Sequence, residues 1–247
     1  MGLNLIMMGP PGAGKGTQAG RVARERGLLK ISTGDILRQA IKDQTPVGQL
    51  ALSVMSTGEL VDDETMIAIV RERLLQHDLD HQGFLLDGFP RTVPQAQALD
   101  RIIEERDNGP LVVIDIRVPF QELVRRLSGR RICSSCGTNA DPFGSEARSC
   151  GKCGGELAYR ADDSRDVVVE RLKVYERQTF PLVEYYQGRQ TFRVVNGAQA
   201  PDQVAFDLDT VLDDAAAVGA EAHRSRSEAG ETGAPATTMD GTQGKGA

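Results

Sequence analysis

What the chain lacks narrows the reading first. It has no excess of positive charge: 29 Lys and Arg stand against 35 Asp and Glu, for a net charge of −6 over 247 residues. No global field therefore draws it onto nucleic acid or anionic lipid, and its basic residues must act locally. It has no apolar run of membrane-spanning length, and no basic segment precedes the apolar stretch in the opening "MGLNLIMMGPPGAGKG". Ile6 occupies the position where a myristoylation signal takes Ser or Thr. A cytosolic protein that binds neither membrane nor nucleic acid is expected. No internal repeat is present, and no cysteine lies outside residues 130–157.

What is present alternates. Leu3 to Met8, "GFLLDGFP" (83–90), "LVVIDIRV" (111–118) and "TFRVVNG" (191–197) are short apolar runs bounded by turn residues, which predict buried strands. Between them, "DETMIAIVRERLLQH", "TVPQAQALDRIIEERD" and "DVVVERLKVYERQTFPLVEYYQ" space apolar residues three and four apart, which predicts helices. Strands alternating with helices give an α/β domain on a parallel sheet. From about residue 218 the chain is poor in large apolar residues, so 218–247 is expected to be a disordered tail following a domain of residues 1–217.

"GPPGAGKGT", Gly9 to Thr17, leaves the first strand and opens a helix near Lys15. That is the context of a phosphate loop: backbone N–H groups turn inward around phosphate oxygens, the helix N-terminus adds its dipole, and Lys15 supplies a mobile positive charge. Gly12, Ala13, Gly14, Lys15, Gly16 and Thr17 are the expected ATP-binding residues of this loop. Gly16 stands where the general motif has Ser or Thr, so Mg2+ is expected to be held mainly by the nucleotide phosphates. Asp87, at the carboxyl end of its strand, is the candidate indirect magnesium ligand.

"GPPGAGKGTQ", "ISTGDILR", "GFLLDGFPRTVPQAQAL", "GRRIC" and "RADDSRDVVVERL" together resemble the adenylate kinases, in the bacterial form whose lid carries a metal-binding insert. The resemblance runs from about Met1 to Asp214. It implies a P-loop kinase with a five-stranded parallel sheet flanked by helices, an AMP-binding flap near 32–61 and a lid near 129–163. The implied reaction converts MgATP and AMP reversibly to two ADP, in nucleotide homeostasis, by a monomer whose only partners are those nucleotides. By the same resemblance Arg38 and Arg91 grip the AMP phosphate, while Lys15, Arg130, Arg160 and Arg171 surround the transferring group, and Arg126 covers the ATP adenine. Arg160 and Arg171 also count among the AMP-binding residues, and Arg130 among those for ATP. Thr33 and Gln95 match the adenine-reading positions, with backbone from Glu59, Leu60 and Val61 and from Gly88, Phe89, Pro90 and Arg91 lining the pocket. This chemistry makes physical sense: a nucleotide phosphate is already ionised, so the acceptor needs charge cancellation rather than a general base, and arginine forks supply it. Alternatives are a monophosphate kinase with another base or donor preference and a regulator that binds nucleotide without turnover.

The cysteines follow C-x2-C-x13-C-x2-C, with Gly after Cys136 and after Cys153. Four thiolates on two tight knuckles suit one tetrahedral Zn2+ bound by Cys133, Cys136, Cys150 and Cys153; two disulfides or a nucleic-acid-reading ribbon are the rivals. Inside a kinase-like lid, with Phe143 the only aromatic of the segment, a structural clamp is the expected role. The stretch between the pairs is shorter than in most metal-bearing relatives, and Asn139 and Ala140 stand where a hydroxyl residue and Tyr commonly meet ATP. His77 and His81 are four apart, at the end of a helical pattern, and carry no metal assignment.

Overall fold

The computed structural model describes residues 2–76, 83–106, 109–137, 139–140, 148–159 and 164–231, with the side chains of 222–231 excepted. Five strands form one parallel sheet: β1 (Asn4–Met8), β2 (Leu29–Ser32), β3 (Phe84–Asp87), β4 (Leu111–Arg117) and, after the lid, β7 (Phe192–Asn196), in the order β2-β3-β1-β4-β7. Leu5 pairs with Leu85 on one side and with Val112 on the other.

Both faces of this sheet are covered, which explains why its strands read as continuous apolar runs rather than alternating ones. Ile6, Met8, Phe84, Leu86 and Val113 enter one core, and Leu5, Met7, Leu85, Val112 and Ile114 enter the other. The first core is closed by helices α2 (Thr33–Lys42), α3 (Pro46–Thr57), α4 (Asp63–Leu74), α5 (Val93–Arg106) and α8 (Pro181–Tyr186). The second is closed by α1 (Lys15–Glu25), α6 (Phe120–Ser128), α7 (Arg165–Val174) and α9 (Pro201–Glu231). The resulting three-layer sandwich places the carboxyl ends of β1, β2 and β3 side by side, where open α/β sheets bind their ligands.

Three local expectations change. β2, "LKIS", has only Ile31 buried among its residues, too weak a pattern to announce a strand in the sequence. The helix expected across 166–187 breaks, because Pro181 has no N–H to donate and crowds the preceding turn. A π-helical stretch, Tyr175–Thr179, absorbs the misfit, with the Phe180 N–H reaching the Tyr175 carbonyl at 2.8 Å before α8 begins. The boundary expected at 218 falls inside α9, which continues to Glu231. Val204, Leu208, Leu212 and Ala215 of α9 are buried, and Gly219 extends the stripe by another turn: a Cβ there would stand 2.6 Å from Pro110 Cβ. Ala, Glu and Arg beyond that turn are good helix formers, in keeping with a helix that runs on to Glu231. Residues 232–247 lie outside the described residues.

The lid is a separate two-stranded antiparallel ribbon, β5 (Arg131–Cys133) and β6 (Leu157–Tyr159), with Cys133 opposite Leu157. No helix among the described residues is long and apolar enough to cross a membrane.

Candidate active site

The loop between β1 and α1 is wound by its own backbone. The Ala13 N–H donates to the Pro10 carbonyl at 3.1 Å, and the Thr17 and Gln18 N–H groups both reach the Gly14 carbonyl at 3.1 Å. Lys15 opens α1, and its ammonium donates to the carbonyls of Gly9 at 2.7 Å and Pro10 at 2.9 Å. Desolvation drives the Lys15 pKa from 10.5 down to about 8; the Asp87 carboxylate opposes that shift, and the charges of Arg91, Arg171 and Arg130 add to it. Asp87 ends β3 beside this loop, with one carboxylate oxygen 3.4 Å from where a Cβ at Gly16 would stand. Lys30 of β2, which no sequence motif singled out, comes within 3.8 Å of Asp87.

Next to the loop lies a cleft lined among others by Thr33, Arg38, Glu59, Gly88, Gln95 and Arg171. Its mouth shares residues with the loop: Arg91 and Arg171 line the cleft and also act on Lys15. Leu60 and Val61 also line it, whereas Phe89 and Pro90 are buried and leave Gly88 and Arg91 as the contribution of that turn. Apolar walls from Leu37, Met55 and Met66 were not legible as site residues, because each reads equally well as core.

Several polar side chains of the cleft have partners of their own. The Thr33 hydroxyl donates to the Gly88 carbonyl at 2.9 Å, which leaves its oxygen as an acceptor. Gly88 is required there: its φ is +85°, and a Cβ would stand 3.0 Å from Thr33 Oγ1 and 3.1 Å from Arg91 Nη2. The Arg91 guanidinium donates to the Gly88 carbonyl at 2.8 Å. Arg38, one turn into α2, pairs with Asp35, and although burial works against ionisation of Asp35, the Arg38 hydrogen bond and charge hold its carboxyl below the usual range. At the end of α3, Gly58 packs on α7, where a Cβ would meet Arg171 Cγ at 3.1 Å.

The donor side is built from α6 and the lid. Arg126 lies in the last turn of α6, and its guanidinium donates to Glu122 at 2.7 Å and to the Gly197 carbonyl at 2.9 Å. Arg130 follows α6 directly, and its charge is felt at Lys15. Asn139 of the lid reaches the loop, its amide nitrogen 3.8 Å from the Cβ position of Gly16. Arg160 lies outside the described residues, as do His77, His81 and Phe143.

Lid sulfurs converge as the spacing predicts. All four lie within 4.8 Å of one another, with Cys133 and Cys153 at 3.4 Å and Cys136 and Cys150 at 3.7 Å. None is in a disulfide. Tetrahedral zinc with Zn–S bonds of ~2.3 Å separates its sulfurs by about 3.8 Å, so the donor set fits that ion. Backbone N–H groups of Cys136 and Lys152 point at the sulfurs of Cys133 and Cys150, each at 3.4 Å, as in two tight knuckles. The Cys136 N–H also helps to hold the Cys133 thiol below its usual pKa.

A phosphate loop at the carboxyl edge of a parallel sheet, facing a cleft whose arginines it shares, is the arrangement of a P-loop phosphotransferase. The adenylate kinase family model matches residues 7–191. Adenylate kinase of Geobacillus sp. is 48% identical over 213 residues, covering 85% of this chain and 98% of that protein. The adenylate kinases of Carboxydothermus hydrogenoformans and Archaeoglobus fulgidus are 46% and 45% identical, each again across 85% of this chain. The chain belongs to the adenylate kinase family.

Proposed function

We propose that the protein transfers the terminal phosphoryl group of MgATP to AMP, reversibly, giving two ADP, and that this serves nucleotide homeostasis. One observation carries the assignment of roles: Arg91 and Arg171 line the cleft and also bear on Lys15 of the phosphate loop. Two anionic nucleotides held at those two places meet across the shared arginines, where negative charge spreads during transfer.

On this reading Gly12 to Thr17 cradle the ATP phosphates, and Arg126 and Arg130 hold ATP from α6 and the lid. Arg38 and Arg91 bind the AMP phosphate, with Arg171 and Arg160 on the transferring group. Thr33 and Gln95 read the base. Because the Thr33 hydrogen is spent on the Gly88 carbonyl, its oxygen accepts, which suits the 6-amino group of adenine. Magnesium, when bound with ATP, neutralises phosphate charge, and Asp87 is the carboxylate placed to hold it through water. Cys133, Cys136, Cys150 and Cys153 would hold one structural Zn2+; the set is complete with four sulfurs and leaves no position for substrate. Residues 32–61 act as the AMP flap and 129–163 as the lid, whose closure excludes water. The protein works as a cytosolic monomer.

Pure protein incubated with MgATP and each of AMP, GMP, CMP and UMP tests this. AMP should give diphosphate with the highest kcat/KM, and only with magnesium present. A higher kcat/KM for UMP or CMP would refute the base assignment.

A further inference from the structure

A glutamine cannot by itself choose between amino and oxo purines. Its amide offers an oxygen acceptor and an N–H donor, and a half-turn about the last side-chain bond exchanges them. Adenine presents a 6-amino donor beside a ring-nitrogen acceptor, and hypoxanthine presents a 6-oxo acceptor beside an N1–H donor. A freely turning Gln95 could therefore read both.

Gln95 does not turn freely. It is 1% exposed, in the first turn of α5. On one flank its Nε2 donates to Asp63 Oδ1 at 2.7 Å, and on the other its Oε1 accepts from the Arg91 backbone N–H at 2.8 Å. A carboxylate only accepts and a backbone N–H only donates. Reversing the amide would set oxygen against oxygen at Asp63 and N–H against N–H at Arg91, losing both bonds and replacing them with repulsion. The carboxylate is itself oriented, because Thr92 Oγ1 donates to the same Oδ1 at 2.8 Å and accepts from the Gln95 N–H at 3.4 Å. One N–H and one lone pair of the amide remain for the cleft that Gln95 lines.

We propose that Asp63 is a positioning residue that sets base selection by locking the Gln95 amide in the orientation that reads a 6-amino purine. Asp63 is not among the residues that line the cleft; it stands at the start of α4, beside the wall formed by Val61 and Met66. The inference rests on the reading of the cleft as the monophosphate site.

Steady-state kinetics with MgATP and either AMP or IMP test it, since the two acceptors differ only at the 6-position edge. In Asp63→Ala the AMP-over-IMP ratio of kcat/KM should fall about tenfold or more, mainly through KM, as an unlocked amide turns to accept N1–H. Asp63→Asn keeps a carbonyl oxygen for Gln95 and Thr92 and should retain most of the ratio. Asp63→Leu, close in volume and without an acceptor, gives the same reading if Asp63→Ala does not fold. Equal losses toward AMP and IMP, with the ratio intact, would reduce Asp63 to a structural contact and overturn the proposal. Gln95→Ala separates the two levels: an unchanged AMP preference in that variant would remove Gln95 from base reading, and the cleft assignment would fall before the lock is reached.

Discussion

The sheet and the lid are held together by opposite means. Under the phosphate loop, Leu5, Ile6, Leu85, Leu86 and Val113 are fully buried, and two apolar cores fix the strand ends from which Asp87 and the Gly88–Arg91 turn emerge. In the lid, β5 and β6 have three residues each, and the best-buried positions of the cysteine knuckles are Cys133 and Cys150 rather than aliphatic side chains. Sulfur there takes the place that leucine has in the sheet. A core this small offsets little of the entropy of ordering its own chain, and the proposed Zn2+ would supply the missing cohesion. The difference suits the proposed work of each part: a loop that stays still, and a lid that opens and closes without losing its shape.

The comparison is broken most severely at the shared arginines, which belong to neither core. Arg91→Ala should cost about 3–5 kcal/mol of transition-state stabilisation, orders of magnitude in kcat/KM, with a thermal midpoint close to that of the parent. Near-normal turnover would remove Arg91 from the AMP phosphate.

Next come paired variants of the two cores. Leu86→Ala should destabilise the whole domain by about 2–5 kcal/mol, visible as one cooperative shift in denaturant midpoint. Cys150→Ser, or removal of zinc by chelation, should instead loosen the lid. Amide exchange should accelerate within 131–159 while β1 and β4 stay protected, and measurable turnover should survive in the cold. Elemental analysis that finds no zinc in protein purified under reducing conditions would remove the metal from this account.

A smaller effect sharpens the electrostatics of the loop. The Lys15 pKa, about 8, lies below its ordinary value of 10.5, so the unfolded chain binds more protons across that window. This group therefore adds stability to the nucleotide-free protein as pH rises from about 8 to 10.5. Bound phosphates favour the ammonium, so ATP binding should take up protons at pH 8.5. Calorimetry in buffers of differing ionisation enthalpy would detect the uptake, and Lys15→Met should abolish it. Identical proton uptake in that variant would assign the effect to another group.

The smallest change expected is truncation after Glu221, which should alter the thermal midpoint and activity little, because Gly219 is the last buried position among the described side chains of α9. Truncation after Leu212 removes Ala215 and Gly219 and should be clearly destabilising by the same measure.

Signals carried within a few residues could be read directly from the sequence. Glycine spacing before Lys15 announced the phosphate loop, since a backbone cradle needs those residue types in that order. Paired cysteines announced the knuckles, and continuous apolar runs announced β1, β3 and β4, because burial on both faces leaves no alternation. Resemblance to a family supplied the arginine roles and the fifth strand, which "LKIS" could not announce alone. Tertiary structure decided what depends on packing between remote segments. Pro181 marks locally where the helix must break, but the sequence did not announce that a π-helical stretch, Tyr175–Thr179, would join α7 to α8. Gly219 looks like part of a featureless tail until α9 lies against Pro110. Asp63 is an unremarkable polar residue until α4 and α5 pack side by side. Only then does an acceptor-only carboxylate meet one end of an amide whose other end already faces an N–H. Hydrogen-bond direction is chemistry written in each residue, but the partner it acts on is chosen by the fold.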